Sequence, residues 1–88
     1  MITTETIAKA LWISWRTANA FEAEGDSKMA VFAWRGITEQ ADGIWALVCY
    51  TRGLPEAERA ELLDAARTVR ELAMERQRRA YHLPAKAA

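Results

Sequence analysis

The 88 residues predict an all-α fold, an antiparallel bundle of three long helices packed as a homodimer. Helix breakers are scarce, four Gly and two Pro, in a chain rich in Ala, Glu, Arg and Leu. Gly25-Asp26-Ser27 and Gly53-Leu54-Pro55 read as the two breaks, leaving three segments of similar length. The polar residues of the ambiguous middle segment also fall into order at 100° per residue, the helical period.

The first segment, Thr4 to Glu24, would run roughly 30 Å as one helix at 1.5 Å per residue. It places Ile7, Leu11, Ala18 and Phe21 inward, Trp15 at the edge, and Trp12 beside Lys9, Arg16 and Asn19 on an exposed flank. Gly25 suits the left-handed position after this helix, and Asp26 or Ser27 can cap the next one.

The same segment admits a second reading. Ile7-Ala8-Lys9-Ala10-Leu11-Trp12-Ile13-Ser14-Trp15-Arg16-Thr17-Ala18, followed by Phe21, resembles the helix-turn-helix of bacterial regulators. Ala8 matches the small residue of the first helix; Ile7, Leu11, Ile13, Ala18 and Phe21 match the apolar positions; Ser14 would cap a recognition helix running to Phe21. The resemblance implies that Trp15, Arg16, Thr17 and Asn19 face a DNA major groove. The sequence departs from the family at Trp12, where the turn usually has Gly. Residues 1–64 hold six Lys+Arg against ten Asp+Glu, so this element sits in the acidic part of the chain, away from what phosphate contacts require.

The middle segment, Ser27 to Arg52, contains two apolar runs, Met29 to Trp34 and Ile44 to Tyr50, that could form a hairpin around Asp42-Gly43. As a helix it gathers Lys28, Arg35, Glu39 and Asp42 into one narrow stripe, with Arg35 and Glu39 at favourable i,i+4 spacing; a hairpin gives them no such order. Around the rest of the wheel run two apolar sides, one with Ala30, Ala33, Ile37, Ile44 and Val48, the other with Met29, Phe32, Gly36, Gly43 and Leu47. Gly36 and Gly43 are read as a line of close helix approach; alternatively Gly36 and Thr38 mark a break between two shorter helices.

The third segment, Pro55 to Tyr81, carries Glu56, Glu58, Glu61 and Asp64 early and Arg76, Arg78 and Arg79 late, complementing the helix dipole at both ends. Leu62, Ala66, Val69, Ala73 and Ala80 form an inward seam, and a second line, Leu63, Arg70, Met74 and Tyr81, lies about 100° away on the wheel. Residues 1–82 are read as one helical domain and 83–88, around Pro84, as a frayed tail.

Counting excludes several chemistries. Twelve basic residues balance twelve acidic ones, so no net charge announces a polyanionic partner. Cys49 alone cannot form an internal disulfide, and with His82 as the only histidine no zinc set can be built, so neither metal nor cofactor is expected. Cys49 is read as a buried, inert thiol in the apolar middle helix, and His82 as an unactivated residue beside the tail. The longest stretch without a charge or Gly, Ile44 to Thr51, is far short of the ~20 residues that span a bilayer, and the N-terminus has no signal-peptide pattern; a soluble cytoplasmic protein is expected.

A chain this small buries only about 60–65% of its unfolded surface, so spare apolar flanks favour self-association. The expected function is a small non-enzymatic interaction module, an adaptor, regulator or inhibitor acting as a homodimer on another protein. Partner contacts are assigned to Trp12, Trp15, Arg16, Asn19, Arg76 and Arg79, because exposed Trp and Arg are typical of binding hot spots. The dimer interface is assigned to Trp34, Trp45, Leu63, Arg70, Met74 and Tyr81. The alternative is a small DNA-binding regulator that reads DNA through Ser14 to Phe21.

Overall fold

A computed structural model of the chain describes residues 4–84 and places three helices on them: α1 (Thr4–Ala23), α2 (Ser27–Tyr50) and α3 (Glu56–Ala80). The helices pack against one another, and no strand occurs among the described residues, so the hairpin reading of 29–50 is set aside. α2 is unbroken through Gly36 and Thr38. α1 is also unbroken: Ser14 lies in mid-helix rather than at a cap, and no turn occurs at Trp12-Ile13. A bulky residue at the turn position and a run of good helix formers make continuation the cheaper path.

Local chemistry sets the junctions. The Gly25 N–H donates to Glu22 O and the Asp26 N–H to Phe21 O, both at 3.0 Å, a Schellman closure that needs the left-handed φ of 71° at Gly25. Asp26 then caps α2, its Oδ1 accepting from the Met29 N–H at 3.1 Å. Gly53, at φ 84°, turns the second junction, and Pro55 precedes α3 with its carbonyl accepting from the Arg59 N–H.

α2 is the spine. One apolar cluster centres on Trp34, which is fully buried with Ala18, Ala30, Ile37, Ala73 and Ala80, with Trp15 and Phe21 packed around it. A second joins Ile7 and Leu11 of α1 to Val48 of α2 and Leu62 of α3. Small residues on the α3 seam let α2 lie close enough for an indole to fill the gap. Leu83, expected in the frayed tail, packs against the Trp34 cluster, while 85–88 lie outside the described residues.

Two expectations for α2 are corrected. A Cβ added at Gly36 or Gly43 would meet nothing within 4 Å, so these glycines mark no close approach between helices of this chain. Cys49 is exposed, because α1 and α3 both pack on the other apolar side of α2, through Ala30, Ile37 and Val48.

Candidate functional site

The residues assigned to partner binding fall into two groups. Trp12 (59% exposed) and Arg16 stand on the outer flank of α1. Trp12, with Ile7, Ala8, Leu11 and Trp15, forms one wall of a groove of about 260 Å³ whose other wall is Ala65 and Val69 of α3. The groove exists because α1 and α3 both pack on α2 and touch each other little. Trp15 is half-buried at its base, its ring edge-on to Trp34 at 4.8 Å and 84°.

Asn19 and Arg76, by contrast, are engaged within the chain. The Arg76 guanidinium donates to Asn19 Oδ1 at 2.8 Å, pairs with the Glu22 carboxylate, and stacks 4.8 Å from the centre of the Trp34 ring. One side chain thus ties α3 to α1 and covers the buried indole of α2. Arg79 is exposed in the last turn of α3.

The residues assigned to a dimer interface are also divided. Trp34 is completely buried inside its own chain and presents nothing to a second copy. Leu63 packs against the Leu62 cluster, and Arg70 bridges to Asp42 at 2.6 Å, clipping α3 to the polar stripe of α2. Trp45, Met74 and Tyr81 remain open at 41%, 39% and 56% exposure. Trp45 borders a shallow cavity of about 280 Å³ with Asp42, Arg67 and Arg70. Within it, the hydrogen bond and charge of Asp64, with Glu71 adding to them, push the Arg67 pKa above its ordinary value.

Three ties were not anticipated. Arg59 donates to Val48 O, to Cys49 O at 3.3 Å and to Thr51 O at 2.7 Å, closing the open carbonyls at the end of α2. Ser27 Oγ donates to Ala80 O at 2.6 Å, doing the same for α3, and Arg35 reaches the Tyr81 hydroxyl at 3.4 Å. A signal existed for Arg59: the last turn of α2 contains no basic residue to serve its carbonyls.

A third open surface lies on α2. The second apolar side of α2 faces solvent, with Phe32 68%, Leu47 53% and Tyr50 86% exposed, and Ile13 of α1 beside it at 73%. Among the described residues no group of His, Cys, Asp or Glu is placed to hold a metal ion, and no helix is long and apolar enough to cross a membrane. Compared with models of protein families, with curated proteins and with solved structures, the chain matches none.

Proposed function

We propose that this protein is a non-enzymatic interaction module, an adaptor, regulator or inhibitor that self-associates and binds another protein through the α1 flank. The observation that carries the reading is the groove between α1 and α3, walled almost entirely by apolar side chains, with Trp12 raised at its edge beside Lys9 and Arg16. An apolar floor with aromatic and cationic side chains at the rim is the make-up of binding hot spots. The cavity beside Trp45 brings together one carboxylate, Asp42, already paired with Arg70, and the guanidinium of Arg67, a set that lacks the second proton-transferring group of a general acid–base pair.

The reading takes the bundle as antiparallel, supported by the pairing of Ser27 with Ala80 and of Arg59 with Val48, which sets the start of each of these two helices against the end of the other. It places the protein in the cytoplasm, where a single exposed thiol at Cys49 suits a reducing compartment.

The test is affinity capture from the native host with the wild-type chain, Trp12→Ala and Arg16→Ala. A partner held by wild type and lost at least about tenfold in Trp12→Ala supports the groove. Equal capture by both overturns it. Binding to duplex DNA that weakens steeply with salt and disappears in Arg16→Ala would replace this reading with the regulator.

A further inference from the structure

Beside its polar stripe of Lys28, Arg35, Glu39 and Asp42, the solvent-facing side of α2 carries an apolar strip where a bundle helix is ordinarily polar. Half of the strongly exposed large apolar side chains among the described residues stand there or directly beside it: Met29, Phe32, Leu47 and Tyr50 on α2 and Ile13 on α1. The grooves running between α1 and α2 on this side are lined by no Asp, Glu, Lys or Arg, in a chain that is 27% charged. Charge depletion over an apolar surface is the composition of an interface core.

We infer that this face is the surface on which two copies of the chain meet, α2 against α2 about a two-fold axis near the midpoint between Glu39 and Gln40. The inference rests on the self-association proposed above and names its surface, moving it away from the Trp45, Met74 and Tyr81 line. A two-fold interface must be self-complementary, since the same strip appears on both sides. The strip meets that demand. Counted outward from the midpoint, Gly36 lies opposite Gly43, Phe32 opposite Leu47, and Met29 opposite Tyr50. Glycines at the centre permit close approach of two crossing helices, and larger side chains fill the widening gap toward each end.

Packing inside the chain does not require either glycine. Nothing lies within 4 Å of a Cβ built on either, and both sit inside a helix where Gly is unfavourable relative to Ala.

Area points to a second copy as the occupant. Phe32 and Tyr50, at 68% and 86% exposure, offer about 300 Å² between them at ~200 Å² per aromatic side chain, and Ile13, Leu47 and Met29 add apolar surface beside them. A stable interface takes ~800 Å² from each partner, so this strip supplies its apolar core and the polar residues along its edge the rim. α2 is about 36 Å long at 1.5 Å per residue, and the bundle is 19 Å across, so the face has the required extent.

Sedimentation equilibrium on wild type, on the double variant Gly36→Gln/Gly43→Gln and on the control Trp45→Ala/Met74→Ala tests the assignment. The glutamines have room within the monomer and favour helix, so circular dichroism should show an intact fold. The expected result is a wild-type dimer whose dissociation constant rises at least about a hundredfold in the glutamine variant and stays within about threefold in the control. Gln40→Cys in a Cys49→Ser background should also oxidise to a symmetric disulfide dimer, because residue 40 lies beside the axis. A wild-type dimer that survives both glutamines, or fails to cross-link at residue 40, overturns the face while leaving self-association standing. A wild-type chain that stays monomeric at about 100 μM overturns both.

Discussion

Arg76 draws three partners together, bonded to Asn19 and Glu22 and stacked on Trp34. Its pairing with Glu22 is only partly exposed, at 31% and 15% of the two side chains, so solvent screens it less than a surface bridge. Arg76→Ala should lower unfolding stability by about 2 kcal/mol in urea titration, and Arg76→Lys by roughly half that, since an ammonium keeps the charge over the ring but loses the fork. Trp34 sets a second residue-scale expectation. Its Nε1–H is fully buried with no hydrogen-bond partner among the described residues, a standing cost of about 1–3 kcal/mol. Trp34→Phe removes that orphan donor along with part of the ring and should cost only about 1 kcal/mol, whereas Trp34→Ala opens a cavity and should cost about 3–5 kcal/mol. Equal losses in the two variants would mean that the indole N–H is satisfied in solution.

α2 and α3 each end on a residue supplied by the other. α2 begins under the Asp26 cap and ends in carbonyls served by Arg59 from the first turn of α3; α3 ends in a carbonyl served by Ser27 from the first turn of α2. Arg59→Ala should therefore cost about 1–2 kcal/mol and act locally, speeding amide hydrogen exchange over the last turn of α2 and in the Thr51–Leu54 connection before it does so elsewhere. Arg59→Lys should recover only part of this, because one ammonium cannot reach three carbonyls from a fixed fork. Uniform exchange loss along all three helices would show instead that the residue acts through global packing. Asp26→Ala tests the opposite end of α2 and should cost about 1 kcal/mol, as loss of a helix cap does.

At the scale of the molecule, three helices cover only part of each other's circumference. α2 and α3 run about 36–38 Å at 1.5 Å per residue against a cross-section of 19 × 15 Å, so the bundle is elongated. An elongated bundle leaves more apolar flank outside than a sphere would. Self-association then couples to folding, and the urea midpoint should rise with protein concentration, because mass action favours the associated state. A midpoint unchanged across a hundredfold concentration range, with a single sharp transition, would mark a self-sufficient monomer.

Helix content, the two junctions and the inward seam were legible in the sequence because they depend on neighbours in the chain. Gly25 and Gly53 supply positive φ, Asp26 caps, and Leu62, Ala66, Ala73 and Ala80 recur at the helical period; the helix ends fall within two residues of where those signals put them. Which apolar side of α2 is covered was not legible. Both sides are apolar, and only the docking of α1 and α3 onto the Trp34 side left Phe32, Leu47 and Tyr50 outside and Cys49 exposed. The same holds for Arg59, Asn19 and Arg76, which look like solvated surface in one dimension and become ties only when helices far apart in sequence bring a carbonyl, a carboxylate or an indole to them. Local periodicity decides that a residue lies on a helix face; the number and placement of neighbouring helices decide whether that face meets protein or water.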